Sequence, residues 1–267
     1  MLIVCLVRVR VRICLMVVCN LMVDVRTVTY NRRLRKVNEM MVNDYIDYLD
    51  DTFGTGQTPS APNLSDKYKE TISALILGMF SVAFQANSSV EYQQQVYSLA
   101  EQKADQYISD VHSIFGNAYE RVSDVKVEPT AYQELRDKNA SILEVLNVKD
   151  AEHGKPYTEI SPLIIRNSFN DRVALTQSLA DYTYFTNVLD LNGNPLYNYK
   201  YWIWSQAEDT RHSEMDGELV EIDEYFTVIN EVTGEEDLGL YPRDSGMSPS
   251  NAYNCLCDIG YLTDLNQ

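Results

Sequence analysis

The chain is short of positive charge. Its 267 residues hold 22 Lys or Arg against 39 Asp or Glu, a net charge of −17. Phosphate contacts need clustered Lys and Arg, so the charge argues against a general nucleic-acid binder. Cysteine is also scarce. Three of the five cysteines lie in the first nineteen residues, and the other two form Cys255-Leu256-Cys257. That is no secreted disulfide framework; sparse, odd-numbered cysteines fit a reducing compartment. Neighbours spaced as Cys255 and Cys257 are poorly placed to bridge each other. Phosphate-binding glycine motifs are missing: there is no G-x-G-x-x-G or G-x-x-x-x-G-K-[ST], and "GTG" at 54–56 sits in a loop after a helical pattern. No G-x-S-x-G nucleophile elbow occurs either.

Long apolar runs are lacking as well. "ALILGMFSVAF" spans only eleven residues, which indicates a buried helix rather than a membrane span. The apolar N-terminus is interrupted by Arg8, Arg10 and Arg12. An arginine near a bilayer centre costs about 2.5–3.5 kcal/mol on insertion scales. A signal peptide carries its positive charges before the apolar stretch, not within it. Residues 1–29 are therefore read as a doubtful extension from an overextended reading frame, with Met22, Met40 or Met41 as the start; a two-faced strand is the alternative. The first forty residues carry +6, which leaves −23 for the rest. Such a basic arm suits weak contact with DNA or an acidic partner; a solvated terminus is the plainer reading.

What is present is helical periodicity followed by strand patterning. Residues 30–53 place Leu34, Val37, Met41, Tyr45, Ile46 and Leu49 at helical spacing. A Gly/Pro/Ser/Thr loop follows at 54–63, then a helix over 64–85. Ser88 and Ser89 are N-cap candidates for a third helix reaching about Phe115. Pro129 opens a further helix ending near Leu146, and 149–157 reads as a linker. Pro162 starts a long helix toward Leu189, stopped by "LNGNP" at 191–195. Strands are expected at 196–204, on both sides of a turn at Thr233-Gly234, and at the C-terminus after a short helix or turn. Helices first and strands after indicate α+β. The expected organisation is a helical region over 30–155 and a small C-terminal α+β module with antiparallel strands over 156–267.

The chemistry-bearing residues crowd into "WSQAEDTRHSEMDGELVEIDEYF", 204–226, and "NCLC", 254–257. His212, Cys255 and Cys257 offer nitrogen and sulfur ligands suited to zinc, with Asp209, Asp216 or another carboxylate as a fourth. Cys-x-Cys is a poorer chelate than the usual C-x-x-C knuckle. The alternative is a hydrogen-bonding histidine beside two core cysteines, with no cofactor at all. The acidic run from Glu208 to Glu224 reads as a solvated face, although clustered carboxylates also bind magnesium. Arg211 is placed to brace a turn against carboxylates. Met215-Asp216-Gly217 reads as that turn, with Asp216 capping it, Gly217 at positive φ, and Trp202 or Trp204 packed beneath.

Taken in order, these landmarks resemble the phage head morphogenesis family, the phage Mu F-like minor head proteins. The series runs from Arg166 on a helix through Lys200-Tyr201-Trp202-Ile203 to Asp209-Thr210-Arg211-His212-Ser213. It continues with Met215-Asp216-Gly217, Asp223-Glu224-Tyr225-Phe226, Tyr241-Pro242-Arg243-Asp244 and Asn254-Cys255-Leu256-Cys257. It covers roughly residues 160–260. The family's usual second arginine before the histidine is absent here, and Leu256 stands where an arginine separates the cysteines, which weakens a DNA-touching role for the module. The resemblance implies a virion component at the head interior or portal vertex, made in the host cytoplasm. Its implied partners are the portal protein and other capsid or scaffolding proteins, with no membrane and no catalysis, and with a bearing on DNA packaging or ejection. About ten residues follow Cys257, so the toxin domain that some relatives carry is not expected. A zinc enzyme, a nuclease or an ADP-ribosyltransferase-like effector on the same module is the alternative.

Overall fold

The computed structural model describes residues 29–49, 51, 63–123, 162–206, 211–230, 233–253 and 255–264. The fold is α+β: a helical N-terminal region followed by antiparallel strands in small sheets. Helix α1 covers 29–49, α2 Leu64–Met79, α3 Ala83–Ala86, α4 Val90–Ser123 and α5 Pro162–Phe185. In α1 the residues Leu34, Met41, Val42, Tyr45 and Leu49 are fully buried. They pack with Ile72, Ile76 and Met79 of α2, Val96, Val111 and Phe115 of α4, and Phe169 of α5 in one core. Ring contacts Tyr45–Phe115 at 5.0 Å and Phe115–Phe169 at 5.4 Å tie three of these helices together.

Three helix ends differ from expectation. The apolar run over 64–85 is not one helix. It breaks after Met79, turns at Phe80–Val82 and resumes as α3. Gly78 lies against the Tyr30 ring so closely that a Cβ there would collide with it. Helix α4 starts as expected, with the Ser89 hydroxyl accepting from the Tyr92 N–H at 3.2 Å. It then runs eight residues past Phe115, because nothing from 116 to 123 breaks a helix strongly enough to stop it. Helix α5 ends at Phe185, short of Leu189, which instead bridges Pro195 across a turn in which Asp190 accepts from the N–H groups of Asn192 and Asn194. The expected helix at 129–146 and the linker at 149–157 lie outside the described residues.

Strand β1 (Tyr199–Ile203) is the centre of a three-stranded sheet, flanked antiparallel by β2 (Leu219–Glu221) and β5 (Asp258–Leu262). Strands β3 (Phe226–Ile229) and β4 (Glu236–Gly239) form a separate hairpin. Its turn holds Gly234 at φ 74°, and α6 (Pro249–Ala252) precedes the cysteine segment. Period-2 alternation turns Lys200 and Trp202 inward from β1 and Phe226 and Val228 inward from β3. Trp202 meets Phe226 edge-on at 5.3 Å and anchors the second core, with Met215, Met247, Cys255 and Cys257.

Helix α5 serves both halves. From Ile165 to Phe185 nearly every residue is at least half-buried. One side meets the bundle through the Arg172–Asp110 ion pair at 3.1 Å and Phe169. The other side meets the strand module: Tyr182 against Tyr241, Phe185 stacked on Tyr261, and Arg172 over the Tyr253 ring. A helix covered on two sides needs little amphipathicity. No helix among the described residues is long and apolar enough to cross a membrane.

Candidate functional site

The chain leaves β1 and returns at residue 211. His212 takes the left-handed conformation, φ 71°, and a 3-10 turn Ser213–Met215 follows. Gly217, φ 79°, completes the reversal without steric cost. The turn is stapled to β1 by three bonds: Gly217 N–H to the Trp202 carbonyl at 2.9 Å, Trp202 N–H to the Glu218 carbonyl at 2.9 Å, and Trp204 N–H to Asp216 Oδ1 at 2.9 Å. The Trp202 indole lies edge-on beneath the His212 ring at 5.7 Å.

This geometry drives His212 into the second core. His212 is 1%, Cys255 4% and Cys257 2% exposed. Nδ1 of His212 faces Cys255 Sγ at 3.6 Å and Cys257 Sγ at 3.8 Å. The other ring nitrogen, Nε2, lies 3.2 Å from Asn251 Oδ1, and Asn251 Nδ2 donates to Asp237 Oδ2 at 2.8 Å. Asp237 also accepts from the Ser248 N–H at 3.1 Å and from the Ser248 hydroxyl. An amide and a carboxylate thus hold the imidazole from behind. The Cys255 and Cys257 side chains interact with each other. That interaction, helped by His212 and Trp202, lowers the pKa of Cys257, whereas the same interaction and burial push Cys255 up. Burial opposes charge on His212, but hydrogen bonds with Cys257 and Asn251 outweigh it and raise its pKa. Both cysteines are free thiols.

The segment carrying the cysteines is pinned from outside by two arginines. The Arg211 guanidinium donates to the Tyr253 carbonyl, where carboxylate partners had been expected. The loop that follows α6 turns a backbone carbonyl toward it. Arg243, itself at φ 68°, donates Nε–H to the Cys255 carbonyl at 2.6 Å and reaches Ser178 of α5 at 3.3 Å.

The structure therefore gathers Trp202, Arg211, His212, Asp216, Gly217, Phe226, Cys255 and Cys257 around one turn, of which His212 and Met215 are buried and Ser213, Glu214, Asp216 and Gly217 exposed. Pro242 is buried nearby in the loop after β4. Arg166 lies apart, near the start of α5, its Nε buried without a partner among the described residues. Asp209 and Asn254 lie outside the described residues. Most of the carboxylates from Glu214 to Glu224 are exposed, and Asp216 is engaged with the Trp204 N–H. Sequence reasoning missed Asn251 and Asp237, and it named Arg243 and Lys200 only within the ordered series, without a role in the site. Ser248-Pro249 is a fair helix-start signal, but nothing in "SPSN" says that Asn251 will reach a histidine 39 residues away.

Among the described residues, one group of metal-ligating side chains converges: His212, Cys255 and Cys257, whose ligand atoms all lie within 4.8 Å of one another. Two open surface hollows lie along α4, one lined by Glu91, Gln95 and Gln102 and the other by Phe84, Val90 and Tyr97; neither touches this group. No protein-family model, curated protein or solved structure matches the chain.

Proposed function

We propose that the chain is a minor head protein of a phage, a structural component that joins the portal during head assembly. The carrying observation is that Arg211, His212, Asp216 and Gly217, the polar centre of the ordered series from Arg166 to Cys257, are engaged in bracing. Arg211 holds a carbonyl and Asp216 a backbone N–H. Gly217 makes the reversal, and His212 is sealed in the core. Function resides in sites rather than folds. A substrate would need a solvent-reachable position beside these groups, and the histidine and both cysteines are at most 4% exposed. The module then acts as a rigid block carried on α5, with the helical region as the larger docking body. Capsid and scaffolding proteins are the further partners of this reading, and the basic N-terminal arm is its point of weak DNA contact.

The deciding experiment is a pull-down of the tagged chain against the portal protein encoded in the same genome, with quantification in purified particles. Specific capture and a few copies per particle are expected. Absence from both the portal and the particles would remove this reading. Host toxicity abolished by Arg211→Ala would point to an effector instead.

A further inference from the structure

We infer that His212, Cys255 and Cys257 form a zinc site, with Asn251 and Asp237 as its positioning residues. The inference rests on geometry alone and is independent of the head-protein reading. Zinc binds thiolate at about 2.3 Å and imidazole at about 2.0–2.1 Å in a tetrahedron. Those lengths require nitrogen–sulfur edges of about 3.6 Å. The observed edges from Nδ1 are 3.6 and 3.8 Å. One nitrogen is therefore already at tetrahedral spacing from both sulfurs, and all three donor atoms lie within 4.8 Å of one another.

The back of the site matches the chemistry as well. A ligating histidine characteristically donates its second ring N–H to a carbonyl or carboxylate, which fixes the tautomer and the ring plane. Asn251 Oδ1 is that acceptor, and Asp237 locks the amide in the matching orientation because it accepts from Nδ2. Nε2 then keeps its proton, and the Nδ1 lone pair points at the sulfurs. The backbone on both sides is fixed too, by Arg211 on the Tyr253 carbonyl and Arg243 on the Cys255 carbonyl. A purely apolar role for two small core cysteines would not call for this histidine, amide and carboxylate series behind them. Two thiolates and an imidazole select zinc over magnesium or calcium, which prefer oxygen ligands. On coordination the ion displaces the protons still held by the thiols, and these pass to solvent. The described residues supply three ligands; a water molecule or a further side chain supplies the fourth.

The test uses the full chain with Cys5, Cys14 and Cys19 replaced by serine, purified without chelators. Expected results are one zinc per chain by mass spectrometry of the metal, and an X-ray absorption spectrum with two sulfurs at about 2.3 Å and a nitrogen at about 2.0 Å. A melting temperature that falls on chelation and recovers with zinc is also expected. Asn251→Ala leaves all three ligands in place and should weaken zinc about 10–100-fold against a chromophoric chelator. That readout stands even if Cys257→Ser does not fold. A folded protein that stays metal-free after zinc loading, with an unchanged melting temperature, overturns the inference. So does stoichiometric retention of a different metal.

Discussion

Lys200 gives the sharpest test of how the module is held together. It is 0% exposed at the centre of β1, and its Nζ has no hydrogen-bond partner among the described residues. The ammonium lies 5.0 Å from the centre of the Tyr182 ring and 5.4 Å from that of Phe226. Burial lowers its pKa from 10.5 to about 8, against the opposing pull of Asp223, Asp244 and Glu224. A folded pKa below the unfolded one means that the charge is a cost. The cost is complete below about pH 8, fades as the folded state gives up its proton first, and is gone above 10.5. At about 1.4 kcal/mol per pH unit the gap amounts to ~3 kcal/mol. Two cation–π contacts return about 1–2 kcal/mol. Lys200→Met keeps the length of the stem and removes the charge, so it should stabilise the protein by about 1–2 kcal/mol at pH 7. For a chain of this size that is a rise in melting temperature of about 3–8 °C. Urea unfolding of both proteins, followed by circular dichroism at pH 7, 8.5 and 10, reads the difference directly. It should shrink to zero or reverse by pH 10, as the unpaired charge disappears and the rings remain. A variant less stable than the parent at pH 7, or a gap that does not change with pH, would show that the ammonium is paired and that the reasoning is wrong.

Three further outcomes are expected. Arg243 stands at positive φ, so Arg243→Ala loses the bond to the Cys255 carbonyl and keeps the backbone strain, whereas Arg243→Gly loses the bond and relieves the strain; glycine should be the more stable variant by about 1 kcal/mol in chemical denaturation, the reverse of the usual order. Asp237 is held below the usual carboxylate range by the Ser248 hydroxyl, then by Asn251 and the Ser248 N–H. Its contribution is present above pH 3.8 and is lost as pH falls through the lower folded value, so Asp237→Asn should be less stable than the parent at pH 7 in urea unfolding, and the gap should close as the pH is lowered through the acid range. A chain begun at Met41 would lose Leu34 and Val37 from the core, at about 1.5–3 kcal/mol each, whereas one begun at Met22 would keep all of α1; the two should differ clearly in melting temperature if Met22 is the better start.

The parts of the fold legible in sequence are those set by local chemistry. Pro162 opens α5, Ser89 caps α4, Gly217 and Gly234 occupy the positive-φ positions of their turns, and β3 alternates inward and outward as its pattern implies. Each depends on residues within a few positions of itself. The break after Met79 was hidden because a continuous apolar run has no period to interrupt and no Gly-Pro punctuation marks it. Strand β2 was hidden by its neighbours. Leu219, Val220 and Glu221 sit in an acidic run, and only their pairing with Tyr201, Lys200 and Tyr199 makes them a strand.

The same division applies to the candidate site. His212 and the two cysteines were conspicuous because their side chains carry unusual chemistry. Asn251 and Asp237 were invisible because theirs do not, and Arg243 stood in the ordered series without a role; an asparagine becomes a histidine's partner only once the hairpin β3–β4 and α6 have brought it there. This asymmetry bears on how the module works. The conspicuous residues alone would describe three ligands floating on two loops. The inconspicuous ones convert them into a fixed arrangement: Asp237 from a strand, Asn251 from a helix and Arg243 from a strained loop tied to Ser178 of α5. The Cys255 carbonyl is thereby tied through Arg243 to Ser178 of α5, and the same helix carries the Arg172–Asp110 ion pair that meets the bundle. Helix α5 joins the two halves, and the polar cluster sets how firmly the strand module is held against it.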